Sequence, residues 1–234
     1  WKETQYNWPV CNPLTGKIEK QYPYFLPIND STYEPTKKEY EFQENTLPLN
    51  WIHRRVNLEN SYSLNTKTGY LSMYCLPDTI KERSPYNFIG IKQNETHFET
   101  STTMQFNPTI NGEEAGLCLI QKDDNYILFD VRHEDNENVL RLVINAKKKN
   151  AILQKDLVMG KKYKNYIELK VILKENKYHF YYRYQSNDLW ELFDTAASNL
   201  LLSEGYTGSH IGLYATSNGK KSINFASFDV FKLN

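Results

Sequence analysis

The chain alternates apolar and polar residues in a way that predicts a β-strand with one buried face. Between residues 97 and 106 the large apolar side chains fall on one side and the polar ones on the other. The apolar set is Phe98, Met104 and Phe106, and the polar set is His97, Glu99, Ser101 and Gln105. Asn111-Gly112 then supplies the left-handed backbone of a tight turn, and the run after it is too apolar for a strand with one solvated face.

Further strands are predicted where β-branched and aromatic residues lie between turn signals. They are 66–74, 115–121, 126–132, 139–145, 166–174, 178–185, 210–216 and 224–233. Glu175-Asn176-Lys177 and Asn218-Gly219 predict hairpin-type connections. Residues 189–202 are the one segment expected to form a helix, of a turn or two at most. Residues 1–40 show little periodicity and predict an extended tail or linker, so that an all-β sandwich is expected over residues 41–234.

Composition fits a soluble domain and narrows its partners. The 234 residues are enough to bury a core without disulfides. Lys and Arg number 28 and so do Asp and Glu, which leaves no excess charge for nucleic acid or an acidic membrane surface. No apolar run approaches the roughly 20 residues of a membrane span. The 18 Tyr, 11 Phe and 4 Trp suit strands and, where rings reach the surface, the apolar faces of sugars.

The three cysteines predict no special chemistry. Cys11, Cys75 and Cys118 cannot all pair within the chain, and they lack the spacing of metal ligands. Cys118 stands in a run that is expected to be buried. Inert thiols are therefore expected rather than a disulfide framework or a nucleophile.

Several short motifs stand in order along most of the chain. The central ones are Phe88-Ile89-Gly90, Gln93, His97-Phe98 and Glu113-Glu114-Ala115-Gly116-Leu117. Upstream are Leu49-x-Trp51, Arg54-Arg55, Tyr62-Ser63-Leu64 and Gly69-Tyr70-Leu71, and downstream are Tyr181-Tyr182, Trp190, Tyr206-Thr207-Gly208 and Ile211-Gly212-Leu213-Tyr214-Ala215-Thr216. In this order and spacing they resemble the C-terminal concanavalin A-like domain of glycoside hydrolase family 43 β-xylosidases. Trp1-Lys2-Glu3 and Trp8-Pro9-Val10 resemble the last segment of that family's catalytic propeller.

The resemblance implies a jelly-roll type antiparallel sandwich without its own active site, because the family's catalytic carboxylates belong to the propeller. Related domains are classed as carbohydrate-binding module family 91, whose ligand is xylan. The expected function is an ancillary domain of a xylan-degrading β-xylosidase or arabinofuranosidase. Its expected partners are xylan or xylo-oligosaccharides and a propeller in the same parent chain. The alternative is a structural domain that buttresses the propeller and closes its pocket without binding polymer alone.

An independent glycosidase is the least expected function. Glycoside hydrolysis requires two carboxyl groups at a defined separation. Hydrolases with a concanavalin-like fold place acidic residues along one strand as Glu-x-Asp-x-x-Glu, and the nearest match here is the segment 39–44, with Glu41 in the central place. A solvated charge cluster explains this segment better.

Four residues in the early strands are candidates for contact with sugar. A xylose ring needs an exposed flat aromatic and a few fixed donors and acceptors. Trp51, Arg55, Tyr62 and Tyr74 lie where the family pattern is densest, although Trp51 and Tyr62 fit equally well as core rings. Arg55 matches the family's arginine before a proline, but Asn57 stands where that proline is usual.

The resemblance implies two further roles. In the family an aromatic residue just before Thr-Gly reaches into the propeller's pocket, and Tyr206 stands at one of the two matching positions; packing over the turn is the alternative. Ile91-Lys92 replaces two arginines found in many relatives, which would alter an interface with the propeller. No cofactor is expected to be required. One structural calcium is possible, with Asp229 as its ligand, although an Asp on the solvent face of an edge strand explains that residue as well.

Overall fold

The computed structural model describes residues 38–55, 60–146, 151–201 and 208–234, which form fifteen strands and two short 3-10 turns. The first strands are β1 (Lys38–Tyr40), β2 (Ile52–His53), β3 (Tyr62–Ser63), β4 (Leu71–Tyr74) and β5 (Phe88–Lys92). They are followed by β6 (Phe98–Gln105), β7 (Glu114–Lys122), β8 (Asn125–Glu134), β9 (Glu137–Ala146) and β10 (Ala151–Val158). The last are β11 (Tyr166–Lys174), β12 (Lys177–Arg183), β13 (Glu191–Ala197), β14 (His210–Thr216) and β15 (Phe225–Leu233). The 3-10 turns are Gly160–Lys162 and Ser198–Leu201.

The strands form two antiparallel sheets that pack face to face. The eight-stranded sheet has the order β13-β12-β11-β6-β15-β4-β3, with β1 pairing to the end of β15. The seven-stranded sheet has the order β10-β9-β8-β7-β14-β5-β2. Consecutive strands are antiparallel neighbours from β7 through β10 in one sheet and from β11 through β13 in the other. The next two strands, β14 and β15, belong to different sheets. The predicted jelly-roll type sandwich is therefore confirmed.

The main core lies between the sheets and is built from the inward positions of alternating strands. In β6 the buried and half-buried residues alternate along the whole strand, as the sequence predicts. Across the interface, the ring of Phe129 in β8 lies 5.4 Å from that of Phe180 and 5.5 Å from that of Phe193. Side chains from the two sheets thus interlock, which stabilises the sandwich by apolar burial.

A smaller apolar cluster covers part of the outer face of the seven-stranded sheet. Ile80 and Tyr86, which precede β5, pack there against strand residues such as Tyr214, whose hydroxyl accepts a 3.0 Å hydrogen bond from the Ile80 amide. The central strands are thus buried on both faces, which explains the unusually apolar run in β7. Burial raises the pKa of the Cys118 and Cys75 thiols, so both favour the protonated form. Cys11 lies outside the described residues.

The same outer face carries a buried group of charged side chains where β7, β8 and β9 meet. Arg141 contacts Glu114 at 2.5 Å and Asp130 at 3.2 Å, and Asn218 donates to Glu114 at 2.8 Å. Burial raises the pKa of Asp130, although the charge of Arg141 opposes this shift. Since an unpaired buried charge is costly, a change of register that separated Arg141 from its two acids would be unfavourable.

Eight of the nine predicted strands match the structure within two residues at each end, and two of these eight, 166–174 and 210–216, match without any shift. The β11–β12 hairpin is confirmed, with positive φ at Glu175 and Asn176. Asn218 and Gly219 also have positive φ, but they lead from one sheet to the other, so the hairpin predicted there is wrong. The strand predicted from residue 66 begins only at Leu71.

The predicted helix at 189–202 is wrong for most of its length. Residues Glu191–Ala197 form β13 beside β12, and only Ser198–Leu201 make a 3-10 turn. Phe193 and Ala196 are buried in the core, so pairing and burial prevail over local helix propensity.

The first described strand lies inside the segment predicted to be a tail. Tyr40 of β1 contacts Trp51 and Phe231, with ring centroids 4.9 and 6.4 Å apart, so the sandwich includes residues 38–40. Residues 1–37, which were expected to resemble the end of a propeller, lie outside the described residues.

Candidate functional site

Trp51 is part of the main core. Its side chain is only 6% exposed, and its ring lies 4.9 Å from Tyr40, 5.9 Å from Phe42 and 5.2 Å from Phe231. A sugar platform requires a free ring face, which these neighbours cover. The position of Trp51 thus corresponds to the core alternative and not to a stacking surface.

Tyr62 and Arg55 lie in two different places. Tyr62 is half-buried against the core, and its ring stacks on His53 with centroids 5.4 Å apart, which joins the edges of the two sheets. Arg55 has a positive φ of 69° and contacts the carboxylate of Asp123, which Arg54 also contacts at 3.4 Å. Arg55, which follows β2, therefore lies beside the β7–β8 turn, where it and Arg54 share the carboxylate of Asp123.

Tyr74 is the candidate that lies beside a cleft on the outer face of the eight-stranded sheet. Leu71 and Met73 of β4 point into the core, so Tyr74 points outward. Its hydroxyl lies 3.2 Å from Thr66 Oγ1, and its ring is edge-on to Phe225 at 5.8 Å. Phe225 lines the cleft, which places Tyr74 at its border.

The cleft has a volume of about 520 Å³, within the range of ligand sites. We call it the tyrosine cleft, and its main lining residues are Lys67, Gln105, Asn165, Tyr166, Phe225 and Ser227. Strand register explains its position, because Ser227 and Tyr166 both pair with Gln105, from opposite sides. The short side chain of Ser227 leaves a depression that its larger neighbours enclose.

Hydrogen bonds fix the polar groups of the tyrosine cleft. Gln105 donates to the hydroxyl of Tyr70 at 3.3 Å and accepts from Lys67. The hydroxyl of Tyr166 donates to Glu168 at 2.8 Å, and burial raises the pKa of Tyr166. Two lysines line the cleft, and none of its lining residues is acidic. The rings and the fixed polar groups suit a ligand with hydroxyl groups and an apolar face.

Four glutamates illustrate how carboxylates of the described residues are placed. Glu39, Glu41 and Glu44 are exposed, and Glu39 pairs with Lys232 at 2.6 Å, as expected of a solvated charge cluster. Glu113 is buried. Although burial opposes its ionisation, hydrogen bonds from Ser222, from the Thr109 and Ile110 amides and from Asn224 hold the pKa of Glu113 below its usual value.

Of the remaining candidate positions, Ile91 and Asp229 lie among the described residues. Tyr206 and Asn57 lie outside the described residues. Ile91 is 3% exposed and faces the core, so it forms no surface for a propeller. Asp229 is half-buried in β15, within a bulge between Phe228 and Phe231. Among the described residues no three His, Cys, Asp or Glu side chains cluster as metal ligands, so calcium at Asp229 stays a prediction.

Among the described residues, no helix has the length and apolarity needed to cross a membrane.

Sequence reasoning missed Gln105, Tyr166 and Phe225 as parts of a site. The alternation in β6 places Gln105 on the polar face, and Tyr166 begins a predicted strand, but neither signal brings them together. Only the pairing of β11 and β15 with β6 does so.

Comparison with known proteins gives consistent results. Residues 39–234 match the family described as the β-xylosidase C-terminal concanavalin A-like domain. The chain is 28% identical over 230 residues to a xylosidase/arabinosidase of Butyrivibrio fibrisolvens, covering 96% of this chain and 43% of that protein. It is 25% identical over 225 residues to a β-xylosidase of Bacillus subtilis, covering 91% of this chain and 40% of that protein. The structure of the xyloglucan PUL GH43B protein of Bacteroides ovatus shares the fold, with a TM-score of 0.80, 23% identity and coverage of 100% of this chain and 45% of that one. The chain thus spans less than half of these relatives.

Proposed function

Because the chain belongs to the family of C-terminal concanavalin A-like domains of β-xylosidases, we propose that it is the non-catalytic carbohydrate-binding domain of a xylan-degrading enzyme. Its ligand is xylan or a xylo-oligosaccharide. The observation that carries the proposal is the tyrosine cleft, where aromatic rings and fixed amides enclose a space with no acidic lining residue. The catalytic propeller of the same parent enzyme is the second partner.

The chemistry of the cleft supports a xylan ligand. A xylose unit has an apolar C–H face and equatorial hydroxyls, which require a ring to pack on and donors and acceptors at its edge. Tyr166 and Phe225 are both half-buried and supply rings, whereas Gln105 and Asn165 supply amides. Two relatives are named xylosidase/arabinosidase and β-xylosidase, and these names refer to xylose and arabinose, the sugars of a substituted xylan.

Binding of xylohexaose by the purified chain tests the proposal. Titration calorimetry should show binding, and Tyr166→Ala should weaken it by about tenfold, by analogy with the loss of one stacked ring. The matched control is Tyr181→Ala, which removes another half-buried tyrosine from the outer face of the same sheet, outside the lining of the cleft. No binding by the unaltered chain, or equal losses in both variants, would contradict the proposal.

A second function is supported by the edge strand β10. Ile152 is 69% exposed and Val158 59% exposed, on a strand that pairs only with β9. Large apolar side chains along a free edge are typical of a surface that another chain or domain covers. This favours a domain that buttresses the propeller. In the parent enzyme, Ile152→Gln with Val158→Gln would then lower the melting temperature more than the same changes do in the isolated domain.

A further inference from the structure

A second cleft, of about 610 Å³, opens at the end of the sandwich where β7 turns into β8. We call it the basic cleft, and the residues that define it are Lys81, Arg83, Lys122, Tyr126, Ile152 and Leu153. Tyr126 belongs to the outer face of the seven-stranded sheet, so the two clefts lie on different sheets. The basic cleft has the size of a small-ligand site, and it shares no lining residue with the tyrosine cleft.

The carboxylates of the basic cleft are already neutralised. Asp123 is shared by Arg54, at 3.4 Å, and Arg55, and Asp124 pairs with Lys122 at 3.3 Å. The remaining acid in this region, Glu82, is exposed and accepts a 3.4 Å hydrogen bond from Ser84.

Two cations at the rim remain available to a ligand. Lys81 and Arg83 are exposed and form no ion pair with any residue that the structure describes. With both local aspartates paired, the rim is positive although the whole chain is neutral. A guanidinium and an ammonium two residues apart suit a carboxylate, which an arginine can bind through two parallel hydrogen bonds.

The rest of the cleft suits the body of a sugar. Ile152 is exposed and pairs with Asn145, so it lies on the same outer face as Val143, and the two provide an apolar wall for the C–H face of a pyranose. Asn145 also lines the cleft, and its side chain is hydrogen-bonded with Tyr126.

We propose that the basic cleft binds a uronic acid side group carried by a xylan chain. Lys81 and Arg83 hold its carboxylate, and the apolar wall packs on its ring. This inference rests on the proposed function, because it assumes a xylan ligand, but it concerns a separate surface and a charged group.

Two oligosaccharides separate the two proposals. Calorimetry would compare unsubstituted xylotetraose with xylotetraose that carries one glucuronate, using the purified chain. The acidic ligand should bind about threefold to tenfold more tightly, as expected for one or two exposed ion pairs, and a tenfold rise in salt should remove most of that gain.

The paired change Lys81→Gln and Arg83→Gln should abolish the preference for the acidic ligand and leave binding of the neutral one unchanged. The control pair is Lys220→Gln and Lys221→Gln, which removes the same charge from exposed positions that do not line the basic cleft. Equal affinity for the two ligands, or a preference that survives the Lys81 and Arg83 changes, overturns this inference. Failure of the neutral ligand to bind overturns the proposed function instead.

Discussion

The side-chain amide of Gln105 donates a hydrogen bond to the hydroxyl of Tyr70 across 3.3 Å. Lys67 donates to the oxygen of the same amide and lies 3.6 Å from the centre of the Tyr70 ring. These contacts fix the orientation of Gln105 before any ligand arrives. Because groups already in place lose little entropy on binding, the tyrosine cleft is preorganised for hydrogen bonding to hydroxyl groups.

Binding of neutral xylan should therefore change little with salt. Stacking and hydrogen bonds between neutral groups are weakly screened, whereas ion pairs are strongly screened. Affinity electrophoresis in gels of neutral xylan, at low and moderate salt, should give nearly the same retardation. A steep loss of retardation with salt would show instead that Lys67 or Lys164 forms an ion pair with an anionic group of the ligand.

Trp51→Ala should destabilise the sandwich without changing its affinity for xylan. Removing a buried aromatic ring from three ring neighbours costs about 3–5 kcal/mol, which lowers the melting temperature by several degrees. Calorimetric melting and xylohexaose titration on the same sample measure the two effects.

The matched control for Trp51 is Trp190→Ala. Trp190 is half-buried on the outer face, with Lys170 at 4.2 Å and Arg183 at 4.5 Å from its ring centre, so its loss should cost less. If Trp51→Ala weakens xylan binding at an unchanged melting temperature, Trp51 contacts the ligand and this prediction is wrong.

Strand β6 and Trp51 differ in how far the sequence alone predicts their burial. The strict alternation around Phe98 and Met104 identifies a buried face, because a strand places neighbouring residues on opposite sides. Trp51 lies in an irregular segment next to the two-residue strand β2, where no such alternation exists, so its burial depends on contacts with Tyr40 and Phe231.

The tyrosine cleft is less predictable for a related reason. Gln105, Tyr166 and Ser227 come from three strands that are distant in sequence, and only their register brings them into one row. Register depends on sheet pairing and turn geometry, which a single sequence determines weakly. Tyr74, a candidate from the density of the family pattern, lies next to the lining residue Phe225, and the pattern points to none of the lining residues.

The purified chain should not hydrolyse aryl xylosides or xylo-oligosaccharides. The buried carboxylates of the described residues are held by donors: Glu113 by hydroxyl and amide groups, Glu114 and Asp130 by Arg141, and Glu168 by Arg183 and Tyr166. A general acid and base pair requires carboxyl groups that can reach a bound sugar. Release of xylose that persists through repeated purification would contradict an ancillary role for the domain.

Glu113 should make stability depend on pH in the acid range. Its pKa is lowered in the folded chain from an ordinary value of 4.5, because hydrogen bonds favour the ionised form. Its contribution is thus fully present above about pH 4.5, where unfolded and folded chains are both ionised. As the pH falls further, the unfolded chain takes up the proton first, so the free energy of unfolding declines.

Glu113→Gln isolates this contribution. The amide keeps one acceptor oxygen but lacks the charge and places an NH2 group among donors, so stability at neutral pH should fall by about 1–3 kcal/mol. Between about pH 5 and pH 3 the variant should lose less stability than the unaltered chain, as urea unfolding at several pH values would show. Glu39→Gln, at an exposed ion pair with Lys232, is the control and should follow the unaltered profile. Parallel profiles for Glu113→Gln and the unaltered chain would mean that the buried carboxylate titrates alike in the folded and unfolded states.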